Sequence, residues 1–141
     1  MRTPLFGLLI VVSGLLAGCP GTQSSTCSGP EVLIPGGKCT AYYYQADYGA
    51  GSATTQALVK CLIDSQQLGG NVVAFHTLDH GIELKWLDET TLEVAVPKGA
   101  TLEDRRLADA YMGHKLVYRY RYLQPSDQQF VGCLGETRGG T

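Results

Sequence analysis

Two imidazoles and a carboxylate, His76, Asp79 and His80, fall within five residues. Neutral imidazoles with a carboxylate suit Zn²⁺ or another divalent ion, and on a helix His76 and His80 would share a face. Asp79-His80-Gly81 reads instead as a turn between strands, so two polar loop residues are the better account, and no metal or other cofactor is expected. His114 stands alone as a strand-edge residue. Ser52 does not sit in G-x-S-x-G, and its glycine-containing loop, residues 49–55, lacks both the phosphate-binding pattern and a clear following helix. Asp88-Glu89 and Glu103-Asp104 resemble solvated charges at a turn and at a helix start. An acid and base pair would need burial to raise one pKa, and nothing in these stretches indicates burial. The chain therefore reads as non-catalytic.

The remaining reactive side chains are five cysteines. Setting Cys19 aside leaves Cys27, Cys39, Cys61 and Cys133, an even number that in an exported domain with a modest core implies disulfides. Four cysteines allow three connectivities. Cys39 opens one expected strand and Cys61 closes the next, so a hairpin turning near residues 49–52 favours Cys39 with Cys61, leaving Cys27 with Cys133. No CxxC or HxxxC spacing suggests zinc.

The elements that must position these residues read mainly as strand. Residues 39–48 are rich in β-formers, with Tyr42, Tyr44 and Tyr48 on one face. Residues 55–63 alternate Ala57, Val59, Cys61 and Ile63 against Gln56 and Lys60, and residues 71–75 form an apolar run. Ile82, Leu84 and Trp86 alternate with charge, as do Leu92, Val94 and Val96. Pairing about Glu89 sets Trp86 opposite Leu92, Leu84 opposite Val94 and Ile82 opposite Val96, with Lys85 facing Glu93. A one-residue slip would oppose apolar to polar, and Pro97 ends the second strand. Thr101 could cap a short helix reaching Asp109 or Ala110, ended by Gly113. Residues 114–123 then put Leu116, Tyr118, Tyr120 and Tyr122 on one face and Lys115, Arg119 and Arg121 on the other. The expected fold is mainly β: a small antiparallel sheet or sandwich of about six strands with one short helix, stapled by disulfides. Most of the strand tyrosines should pack in the core; the others, with Arg119 and Arg121, could meet a partner's carboxylates or lipid phosphates.

The first 18 residues have the parts of an export signal: Arg2, an apolar stretch over residues 5–16, and small residues after it. The stretch is too short to span a bilayer. Leu16-Ala17-Gly18-Cys19 resembles the lipobox of bacterial lipoproteins, in which the Cys becomes N-terminal and lipid-modified. The resemblance implies a signal peptide over 1–18, acyl chains on Cys19, a lipidated flexible tether over 19–29, one β-rich domain over 30–134 and a disordered tail over 135–141. Two or more acyl chains hold a protein stably on a membrane. Pro20 after Cys19, where Asp would signal inner-membrane retention in enterobacterial lipoproteins, favours the periplasmic face of the outer membrane. A second resemblance lies in Pro35-Gly36-Gly37-Lys38, which is similar to the turn opening blades in TolB-like propellers, although one such unit cannot make a propeller. Together with Tyr42-Tyr43-Tyr44, the loop at residues 51–55 and the hairpin at residues 86–93, it resembles small envelope lipoproteins of no assigned activity.

Without Arg2, ten Lys and Arg face thirteen Asp and Glu, about −3 with His neutral, so no basic surplus recruits nucleic acid. The expected protein is a membrane-anchored envelope lipoprotein, a non-catalytic binding or structural module whose partners are the membrane and an envelope protein or cell-wall component. The alternative is a periplasmic inhibitor or immunity protein against a toxin or cell-wall hydrolase.

Overall fold

The computed structural model describes residues 24–49, 51–78, 80–111, 113–127 and 132–134. Five strands make the first sheet: β1 (Ser25–Ser28), β2 (Val32–Leu33), β3 (Cys39–Asp47), β4 (Ala53–Ile63) and β5 (Gln66–Phe75). All pairings are antiparallel in the order β1-β3-β4-β5, with β2 also on β3. The second sheet contains β6 (Glu83–Trp86), β7 (Thr91–Val96), β8 (Ala108–Tyr111) and β9 (His114–Tyr122) in the order β6-β7-β9-β8. The six expected strands are β3, β4, β5, β6, β7 and β9. The three the sequence reading lacked, β1, β2 and β8, are two to four residues long, too short for alternation to register.

Period-two alternation determines the core. Ala41, Tyr43, Ala57, Val59, Cys61, Val73 and Phe75 point from the first sheet into a cluster completed by Leu84, Trp86, Leu92, Val94, Leu116 and Tyr118 from the second. Two sheets facing one apolar layer bury the stripe that neither could shield alone. The β6–β7 hairpin has the expected register, with Leu84 opposite Val94, Lys85 opposite Glu93 and Trp86 opposite Leu92. Between β4 and β5, Asp64 and Ser65 both take positive φ, 49° and 64°, the backbone a two-residue hairpin turn requires. Gly69 in β5 allows close strand approach: a Cβ there would stand 2.2 Å from the Val59 carbonyl oxygen.

Three expectations are corrected. The second sheet is mixed, not antiparallel, because β7 and β9 run parallel, Leu92 beside Tyr118 and Val94 beside Tyr120. Parallel neighbours need a long crossover, and residues 97–107 supply it. The short helix expected there is absent. Instead, Glu103 N–H donates to the Ala74 carbonyl at 2.6 Å, Ala74 N–H returns to Glu103 at 2.8 Å, and Arg106 N–H donates to Val72 at 2.9 Å. The edge of β5 presents unpaired backbone groups, and pairing them outweighs a helix whose stretch carries only Leu102 and Leu107 as large apolar residues. Asp104, at φ 50°, breaks helical geometry as well. Finally, residues 25–28, expected within the tether, form β1 against Tyr44–Asp47; backbone pairing and the Cys27 disulfide order a stretch whose composition alone predicts a linker. Residues 1–23, with Cys19, lie outside the described residues, as do residues 135–141.

Candidate functional site

The strands define two ends of the domain. One end holds the β2–β3, β4–β5, β6–β7 and β8–β9 turns. There Ile34, Pro35, Lys38, Ile63, Glu89 and His114 line an open cavity of about 200 Å³, and Leu33, Leu62 and Leu87 are largely exposed. At this end Cys39 is joined to Cys61, as the hairpin register requires by placing them opposite one another, with S–S 2.06 Å. Gly36 and Gly37 both adopt positive φ in the turn before β3, which is why two glycines occur there.

The other end holds the entry to β1, the β3–β4 loop, residues 76–78 and 80, the start of the crossover, and the end of β9. Cys27 is joined to Cys133 here. Gln45 organises this end from the interior, where it is fully buried. Its Nε2 donates to Thr55 Oγ1 at 2.9 Å and to the His80 carbonyl at 3.2 Å, and its Oε1 accepts from Leu134 N–H at 3.1 Å. Thr55 in turn donates to the Thr77 carbonyl. Gly132 passes against the Gln45 amide, with no room for a Cβ. Buried polar groups must be partnered, and here the partnering fixes two irregular segments onto β3. Gln45 has the parity of Cys39, Ala41 and Tyr43, so the signal that it points inward was present in the alternation.

His76 and His80 line an open cavity of about 480 Å³ at this end, with Lys98 and Thr101. Both nitrogens of His76 face protein acceptors: Nδ1 lies 3.2 Å from the Ala53 carbonyl and Nε2 lies 3.1 Å from Glu103 Oε1. The fold thus brings His76 and His80 to one cavity but engages His76 with Glu103, a residue the sequence reading had placed at a helix start. Among the described residues no three His, Cys, Asp or Glu side chains gather as a metal site; Asp79 lies outside those residues.

Two polar clusters stiffen the second sheet. On its outer face Arg121 meets three carboxylates: Nη1 to Asp127 Oδ2 at 2.6 Å, Nε to Glu93 Oε1 at 2.8 Å and Nη2 to Glu83 Oε2 at 2.9 Å. Hydrogen bonds from Arg121 and from Gln124 N–H hold the Asp127 carboxyl down at about 2. Arg121, expected as a free contact for a partner or lipid phosphate, is therefore engaged internally, whereas Arg119 stays exposed. The second cluster centres on Asp109. It accepts from Arg106 at 2.9 Å, Tyr118 at 2.9 Å and Tyr111 at 3.2 Å. Burial, then the Asp109 contact, pushes the Tyr118 phenol far up. Tyr120, pushed up to about 12 chiefly by burial, donates to the Val72 and Arg106 carbonyls and carries the Arg105 guanidinium over its ring at 4.5 Å. Asp109 escaped sequence reading because the stretch around it looked helical.

The tyrosines divide by strand parity. Tyr43 and Tyr118 are core residues, and Gly29 lies directly over the Tyr43 ring. Tyr42 and Tyr44 face outward from the first sheet and are half-buried. Tyr48 and Tyr122, each just at or beyond a strand end, are largely exposed. The core expectation thus holds for Tyr118 and fails for Tyr42, because the face facing the second sheet is the odd-numbered one.

No family model, no curated protein and no solved structure matches this chain.

Proposed function

We propose that this protein is a lipid-anchored envelope module that binds a protein partner close to the membrane and does no chemistry of its own. One observation carries the reading. Several side chains able to do chemistry are engaged with one another, His76 with Glu103, Asp109 with Arg106 and two tyrosines, Arg121 with three carboxylates. By contrast, Leu33, Leu62 and Leu87 are exposed at the Cys39–Cys61 end, where Ile34, Pro35 and Ile63 also line an open cavity. Exposed apolar surface can mark an interaction site. The lipobox-like Leu16-Ala17-Gly18-Cys19 supports the lipid anchor, and Pro20 after Cys19 favours the outer membrane's periplasmic face.

Two experiments test it. Cys19→Ala should move the protein from the membrane fraction to the soluble one; unchanged fractionation would overturn the anchor. In crosslinking on intact cells, a partner bound through the leucine end should be lost in Leu33→Asp with Leu62→Asp. A partner crosslinked equally by both proteins refutes that surface. Should the leucine-dependent partner be a toxin or wall hydrolase whose activity falls on binding, the inhibitor reading replaces the structural one.

A further inference from the structure

We infer that the end of the domain opposite the leucines is a membrane-seating surface, with Tyr48, Tyr122 and Lys98 resting in the headgroup layer of a phospholipid bilayer. This rests on the acylation of Cys19 proposed above. Three independent features point to it.

The first is reach. Ser25 pairs with Asp47 at the last position of β3, so the chain enters the fold at that end. Ser25 is six residue steps after Cys19, and however those steps are arranged they span at most about 20 Å. The nine residues of β3 put its Cys39 end about 26 Å farther away. A domain standing on Leu33, Leu62 and Leu87 would hold Ser25 beyond the reach of an acylated Cys19. Standing on the Tyr48 end, it satisfies the link without strain.

The second is the character of that end. Among the exposed large hydrophobic residues of the described chain, the two tyrosines, Tyr48 at 51% and Tyr122 at 56% exposure, are both here, while Leu33, Leu62 and Leu87 are at the opposite end and Leu107 lies between, its carbonyl bonded by Tyr118 N–H in mid-β9. Tyr48 follows the last residue of β3, and Tyr122 closes β9 opposite Val96. Tyrosine, with an apolar ring and a polar tip, is the side chain that settles at headgroup level, unlike leucine.

The third is charge and shape. Lys98 lies in the turn after β7 and lines the open cavity with His76 and His80, offering a cation and the His80 imidazole to phosphate oxygens. Glu103 is turned onto His76, and Asp127 is engaged by Arg121, so neither carboxylate confronts the headgroups unpaired. Seated this way, the domain presents its leucine end away from the bilayer.

The test uses the lipidated, isotopically labelled full protein in nanodiscs of phosphatidylethanolamine and phosphatidylglycerol, with and without a nitroxide-headgroup lipid. Mass spectrometry of the N-terminal peptide first establishes acylation; a bare Cys19 removes the anchor reading and this inference together. With acylation present, the amides of Tyr48, Ser52, His76, Lys98 and Tyr122 should lose intensity severalfold while those of Leu33, Leu62 and Leu87 keep theirs. Uniform broadening, or broadening centred on the outer face of the first sheet at Tyr42 and Leu58, overturns the seating and leaves the anchor standing. Tyr48→Ser with Tyr122→Ser should spread the broadening over both ends. A double variant that broadens as the parent does refutes the part given to the tyrosines.

Discussion

Arg121 shows how one side chain is positioned by a small neighbour. Glu83, Ala95 and Arg121 stand in one row across β6, β7 and β9. Because the middle residue is alanine, only 1% exposed, the glutamate and the arginine can meet above it. Glu93 and Asp127 complete the fork geometry that guanidinium favours. Since the folded pKa of Asp127 lies near 2, below its ordinary 3.8, its contribution to stability is fully present above about pH 4 and is lost as pH falls toward 2. Asp127→Asn should therefore flatten the acid limb of the stability curve in that window, measured by thermal unfolding from pH 7 to pH 2. Parallel curves for the two proteins would refute the assignment. Arg121→Leu, which strands three carboxylates, should destabilise by about 1–2 kcal/mol at neutral pH, read from urea denaturation.

At the scale of elements, the legible parts were those with local period. Alternation of two locates six strands, and the apolar pairing of residues 82–86 with 92–96 sets the hairpin register without any tertiary contact. What local pattern could not reach was the crossover at residues 97–107, where propensity suggested a helix and the open edge of β5 imposed extended pairing. The same holds for Gln45. Its parity marked it as inward, but its partners, His80 and Leu134, lie 35 and 89 residues away, and no periodicity announces them. Gln45→Leu should keep the volume of the side chain while stranding the Leu134 N–H and the His80 carbonyl. Leaving such groups buried and unpaired costs about 2–4 kcal/mol. A loss of less than about 1 kcal/mol in urea denaturation would show that these groups find water instead.

For the whole molecule, the two disulfides act at opposite ends and on different scales. Cys39–Cys61 closes 22 residues within one hairpin, whereas Cys27–Cys133 closes 106 and ties both margins of the domain together. In the chain-entropy account the shorter loop is worth about 3 kcal/mol and the longer about 5 kcal/mol. Paired alanine substitutions should reproduce that order in denaturation midpoints, and denatured, unreduced protein should show no free thiol. A larger loss from the Cys39–Cys61 pair would reverse the ranking. The candidate site followed the same division by range. The pairing of cysteines could be proposed from residue order because a hairpin makes Cys39 and Cys61 neighbours, but the pairing of His76 with Glu103, 27 residues on, could not. The sequence by itself determined the β class, six strands, the hairpin register and the absence of a basic surplus, since each depends on alternation, count or short-range geometry, and it favoured without fixing the two cysteine pairs. Tertiary structure alone decided the parallel β7–β9 pair, the covered edge of β5, the engagement of Arg121 and Gln45, and the placing of Tyr48 and Tyr122 at one end with Leu33, Leu62 and Leu87 at the other. Those features arise where segments far apart in the chain must satisfy each other's backbone and buried polar groups.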